Sequence, residues 1–207
     1  MNYIPQYFPS LSQLQLAQFE QMIDVYKFWN NQINVVSRKD IDNLELHHML
    51  HSLAIGSLIR FQPNTTIIDV GTGGGFPGIP LAVLFPESQF HLIDSIGKKI
   101  KVVEEVTKAL NLSNVTFEKI RSEDLKRRFE FVLSRAVTEL PVFNNQTKHL
   151  VDVKNQKNGL PNGIIYLKGG DIKDEISAFG KRVTVTPLSG YFNEEFFSTK
   201  KVVHLSF

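Results

Sequence analysis

The sequence predicts an α/β fold: a mostly parallel seven-stranded sheet that ends in a C-terminal antiparallel hairpin and is preceded by an N-terminal helical extension. Three observations carry that prediction. From residue 66 onward, short apolar runs alternate with segments of helical spacing, the pattern of a parallel sheet covered on both faces. The first run leads straight into IIDVGTGGGFPG (67–78), in which five of the eight positions 71–78 are glycine. Ahead of that run, apolar residues recur at intervals of three and four instead.

In order along the chain, Leu11, Leu14, Phe19, Met22, Ile23, Tyr26, Trp29 and Ile33 predict an amphipathic helix within 11–36. Leu46, Leu50, Leu53, Ile55 and Leu58 predict a second over 44–61, closed by Pro63. Strands are expected at TIIDV (66–70), QFHLID (89–94), VTFEKI (115–120), FEFVLS (129–134) and GIIYLKG (163–169), with helices at 78–85, 97–111 and 138–152 between them. RVTVTP (182–187) and KKVVHLSF (200–207) leave no room for a long crossover helix and are expected to pair antiparallel. DVKNQKNGLPN (152–162) reads as an exposed loop. With 207 residues and 42% hydrophobic content, the chain suits one core with a small appendage, divided as 1–62 and 63–207.

The absence of cysteine excludes a disulfide scaffold, Cys-ligated zinc and a thiol nucleophile. The first twenty residues carry no basic flank, and no window approaches about 18 uninterrupted apolar residues, so a soluble cytoplasmic protein is expected. The net charge of +2 is unevenly placed. Residues 1–66 hold four Lys/Arg against five Asp/Glu, whereas 95–135 hold ten against six. The clusters Lys98, Lys99, Lys101 and Lys126, Arg127, Arg128 suit either a phosphate backbone or a solvated helix face.

The first strand-to-helix turn of an open α/β sheet is the usual ligand site. Gly71 and Gly73 let the chain reverse there with a bare backbone, and Pro77 stands where a helix begins without needing its amide. Gly73, Gly75 and Gly78 also match a nucleotide fingerprint, a weak signal alone. Asp69, just before the first glycine, opposes a pyrophosphate and suits an ammonium-bearing ligand such as S-adenosylmethionine (AdoMet). Asp94, followed by Ser95 at the end of the second strand, is placed to accept from ribose hydroxyls, as it would in NAD too; its alternative role is a helix N-cap.

Taken together, DVGTGGGFPGIPLA (69–82), LIDSIGKK (92–99), RSED (121–124), LSRA (133–136), LKGG (167–170) and KKVV (200–203) resemble the RsmG (GidB) methyltransferases, which methylate guanine N7 in 16S (small-subunit) ribosomal RNA. FWNNQINVVS (28–37) and HHMLHSL (47–53) resemble that family's N-terminal helical elements, so the resemblance runs from about residue 20 to the end. It implies a class I (Rossmann-like) AdoMet-dependent methyltransferase fold, with Gly71 and Phe76 lining the cofactor pocket, Ser122 and Glu123 near the adenine, and Arg135 closing the site. The position of Ser122 and Glu123 after the third strand agrees, although SED also reads as a cap of a helix toward Arg127. The chain departs from the family in carrying His51 where an aspartate is usual and in the length of the 152–162 loop. His47 and His51, at i and i+4, read as a helix-packing pair rather than metal ligands, and no metal is expected.

Guanine N7 carries a lone pair and no proton, so transfer needs alignment and no base. Arg135 and Lys168 follow strands whose ends face one cleft, where a cation is placed to hold guanine O6 or a phosphate. Two other classes remain compatible with the motifs: an NAD(P)-dependent oxidoreductase, and a ribosome-assembly RNA-binding factor without activity.

Overall fold

The computed structural model describes residues 1–135 and 137–207; Ala136, which ends the LSRA segment, lies outside them. The elements are helices α1 (Ile4–Tyr7) and α2 (Gln13–Asn30), then α3 (His51–Leu53) inside a helical run that begins with a 3-10 turn at Ile41–Asn43, continues through a π turn at Leu44–Leu50 and ends with a 3-10 turn at Ala54–Ser57. There follow β1 (Thr66–Val70), α4 (Gly78–Leu84), β2 (Gln89–Asp94), α5 (Gly97–Ala109), β3 (Val115–Lys119), β4 (Phe131–Arg135), α6 (Leu140–Thr147), β5 (Gly163–Gly169), α7 (Lys173–Ser177), β6 (Val183–Pro187) and β7 (Lys200–Ser206). The strands form one sheet in the order β3-β2-β1-β4-β5-β7-β6. β7 runs antiparallel to both β5 and β6; the remaining pairings are parallel. The expected C-terminal pair is therefore present, with β7 inserted beside β5 and β6 at the edge. Pro187, which has no amide to donate, ends that edge strand.

Alternation along the strands sorts side chains between two cores. Ile67, Phe131, Leu133, Ile165 and Leu167 face one side, and Ile68, Val132, Ile164 and Tyr166 the other. The first side also takes in Ile4, Phe19, Met22 and Tyr26, so residues 1–62 share a core with the sheet instead of owning one. The α2 helix starts at a capping box in which Ser12 accepts the Gln15 amide and Gln15 accepts the Ser12 amide. It stops at Asn30, short of the expected 36, because the buried Asn30 side chain accepts the Val35 and Val36 amides, each at 2.9 Å, and turns the chain back. Over the expected helix 138–152, regular structure ends at Thr147 and the chain goes on through a 3-10 turn to Val151, which bridges Phe129. Among the described residues, no helix is long and apolar enough to cross a membrane.

Candidate functional site

The carboxyl ends of β1, β2, β3 and β4 surround a cavity of about 580 Å³. It lies where the strand order reverses between β1 and β4, the place at which open α/β sheets receive ligands. The glycine turn forms its floor. Gly71 and Gly73 adopt φ of +68° and +60°, which L side chains rarely tolerate. A Cβ on Gly71 would strike Val137, whereas one on Gly73 would meet nothing within 4 Å and would occupy open space at the cavity wall. The second glycine thus leaves bare backbone beside the space a ligand would fill.

Asp94 is not the N-cap residue of α5, which is Ile96, but its carboxylate captures two backbone amides at the turn. Its Oδ1 accepts the Ile96 amide at 2.9 Å, just ahead of α5, and its Oδ2 accepts the Gly73 amide at 3.0 Å. A carboxylate oxygen has two lone pairs, so Asp94 ties the turn to α5 and retains acceptor capacity on the cavity wall. Lys99 Nζ lies 3.8 Å from Oδ2 and also lines the cavity, so it belongs to the site and not to an outer basic face. Ser95, Phe76, Ser122 and Glu123 line the same space. Ser122–Asp124 is a 3-10 turn, and no helix continues to Arg127; the Ser122 hydroxyl donates to Glu123 Oε2 at 2.9 Å.

Asp69 stands differently from the reading that faced it toward a ligand. It is fully buried below the turn, on the core side of β1, and is not among the cavity walls. Its Oδ2 accepts both the Thr72 hydroxyl at 2.6 Å and the Gly78 amide at 2.9 Å, closing the turn onto α4. Burial raises its pKa to about 6, against the pull of these two donors. The residue is a brace for the turn.

Arg135 and Lys168 were expected in one cleft, and both do line a neighbouring cavity, although Lys168 is not among the walls of the glycine-floored one. Arg135 pairs with Leu167, so these two project to one face and Lys168 to the other. There the Lys168 ammonium meets Glu175 Oε2 at 2.7 Å and donates to Thr138 O at 2.7 Å. Arg135 is half-buried beside the cavity, its guanidinium 5.1 Å above the Phe76 ring. Nη1 donates to His47 O at 3.3 Å and Nη2 to His48 Nδ1 at 3.0 Å. The other nitrogen of His48 meets Asp40 Oδ2 at 2.6 Å, and His47 Nδ1 meets Asp40 Oδ1 at 2.5 Å. Burial, then the neighbouring Arg135 charge, pushes His48 down to about 4. A neutral His48 that accepts from Arg135 at Nδ1 must donate from Nε2 to Asp40, which settles its tautomer. Burial lowers Arg135 to about 10, with Asp69 opposing, so the guanidinium stays charged at neutral pH.

Val35, Asp40 and His48 escaped the sequence reading. The stretch FWNNQINVVS and the HH pair marked their neighbourhood, but nothing in residue spacing brings Val35 against the glycine turn or joins Asp40 to a residue 95 positions later.

A parallel sheet with a reversed β7 beside β5, and a glycine-floored cavity at its switch point, define the fold of AdoMet-dependent methyltransferases. A crystal structure of a mutant MtNAS in complex with S-adenosylmethionine shares it, with a TM-score of 0.56 at 14% identity, covering 93% of this chain and 72% of that one. The chain belongs to the GidB family, rRNA small subunit methyltransferase G, whose model matches residues 15–202. It is 54% identical to the ribosomal RNA small subunit methyltransferase G of Flavobacterium johnsoniae over 99% of this chain and 97% of the relative. It is 52% identical to that of Bacteroides thetaiotaomicron over 99% and 98%. Membership in this family decides against the oxidoreductase reading, which Asp69, buried as it is, does not.

Proposed function

We propose that the protein transfers the methyl group of AdoMet to N7 of a guanine in 16S ribosomal RNA, free or within the small ribosomal subunit, in the cytoplasm. The observation that carries the cofactor assignment is the cradle itself: Asp94 and the bare backbone of Gly73 at one wall, with space at the glycine where a Cβ would stand. In this reading Asp94 accepts from the ribose, Ser95 lies beside it, and Ser122 and Glu123 flank the adenine. Gly71 and Phe76 border the amino acid end, and Asp69 acts from beneath the turn. AdoMet supplies an electrophilic methyl group on a sulfonium. Transfer to the N7 lone pair would form a C–N bond at the expense of the donor's C–S bond and carry the positive charge from sulfur to the purine ring. No proton moves in that step, and the chain's contribution is alignment and exclusion of water. Arg135 is the positioned cation. Lys168, bound to Glu175, holds the chain after β4 through Thr138 and has no assigned contact with the reacting atoms.

Labelled AdoMet incubated with the protein and with naked 16S RNA or small subunits, followed by mapping of the labelled nucleotide, tests this directly. Label at N7 of one guanine is expected; label elsewhere or none overturns it. The single-turnover rate is expected to be flat from about pH 7 to 9, since no general base is involved.

A further inference from the structure

A second cavity, of about 440 Å³, lies on the far side of Arg135 from the glycine turn and has Arg135 as the wall it shares with the first. Resting on the methyltransferase reading above, we propose that this second cavity receives the purine base of the methyl acceptor. Its wall is aromatic: the Phe196 ring stacks on His47 at 4.1 Å and 14°, with His51 edge-on at 5.4 Å. Flat aromatic faces are what unstacked bases bind in proteins that act on single-stranded or extruded nucleotides. The Phe196 face already holds a cation, since Lys200 Nζ lies 4.6 Å over the ring on a flexible stem that yields to a flat ring. Methylation at N7 turns a neutral base into a cationic one. A π face in this place therefore gains attraction for the ring as the charge arrives, which favours the transition state over the bound substrate.

Arg135 provides the orientation. Two of its five N–H groups are committed to His47 and His48, and three have no partner among the described residues. Guanine O6 accepts, and it stands on the same edge as N7. A guanidinium fixed between the cavities is placed to hold O6 and so to aim N7 back toward the first cavity, where the methyl donor is assigned. Adenine, which presents an amino donor in place of O6, would oppose that guanidinium. The His48 and Asp40 contacts keep the fork from rotating.

Two measurements test the assignment. In the first, Phe196→Leu, which keeps volume and removes the π face, is compared with Phe196→Tyr in single-turnover transfer at saturating rRNA and AdoMet. The leucine variant is expected to be slower by about tenfold or more and the tyrosine variant near wild type, with AdoMet affinity unchanged in both. In the second, wild-type protein loaded with S-adenosylhomocysteine is titrated with 7-methylguanosine and followed by NMR. Shifts at Phe196, His47 and His51 are expected, with none from 1-methyladenosine under the same conditions. Equal rates for all three proteins, or nucleoside shifts confined to the first cavity or absent, overturn the assignment. The nucleoside titration stands whether or not rRNA is labelled, so a failed methyl acceptor and a misplaced base are told apart.

Discussion

The two cavities that meet at Arg135 are built in opposite ways. The floor of the first is local backbone: a glycine turn, two amides captured by Asp94, and a buried Asp69 that closes the turn onto α4, all within residues 69–96, to which Val35, Ser122, Glu123 and Arg135 add walls from elsewhere. The second is made of side chains drawn from far apart, with Asp40, His47 and His51 from the N-terminal segment, Arg135 from β4, and Phe196 and Lys200 from just before and at the start of β7. A binding site for a small invariant molecule needs one local turn with its hydrogen bonds closed. A site for one base of a large RNA needs flat and charged groups at spacings no contiguous stretch provides.

The sharpest way to break this comparison is at the two aspartates. Asp94→Ala frees the Gly73 and Ile96 amides and removes the proposed ribose acceptor together, so AdoMet affinity is expected to fall about 100-fold or more, roughly 3 kcal/mol, by calorimetry. Asp69→Asn keeps one oxygen to accept from Thr72 and Gly78 and is expected to keep AdoMet affinity within about threefold. Equal losses in the two variants would return Asp69 to the ligand.

Arg135→Lys comes next. A lysine has no planar fork to hold His47 O and His48 together, so methyl transfer is expected to slow about 30-fold with RNA and AdoMet saturating, and AdoMet affinity to change little. A defect confined to RNA affinity and recovered at low salt would make Arg135 a phosphate contact.

His48 tests the side-chain region through pH. Its folded pKa lies below its unfolded value, so its contribution to stability is present above about pH 6.5 and is lost as pH falls through about 4, up to roughly 3 kcal/mol. His48→Gln has no such titration, and its stability in urea is expected to decline correspondingly less between pH 7 and 4. Identical slopes would show that His48 is not held neutral by its surroundings.

The smallest effect is expected outside both cavities. Lys101 and Lys108 are tied to Glu104 and Glu105 along α5, the solvated-face reading of that cluster, whereas Lys126 and Arg128 make no ion pair among the described residues. Replacing Lys126 and Arg128 with alanine is expected to weaken RNA binding a few-fold and reduce its salt slope by about 2, leaving the saturated rate alone.

By itself, the sequence determined the strands, the glycine turn and the place of Asp94 at the end of the second strand. Each is a local matter of alternation, of φ angles open to glycine, or of a carboxylate at a strand end, and β1, β2 and β5 begin and end where the apolar runs do. Tertiary structure alone decided which way side chains point once strands are in register. Lys168 looked like a companion of Arg135 at the first cavity because both follow strands, yet one residue of register against β4 turns it to the other face, where it pairs with Glu175 and borders only the second cavity. Asp69 looked exposed to a ligand because it precedes the glycines, yet the pleat directs it into the core. The Asp40–His48–Arg135 chain was legible nowhere, because a hydrogen bond between residues 87 positions apart has no local signature and exists only after the N-terminal helices share the core of the sheet.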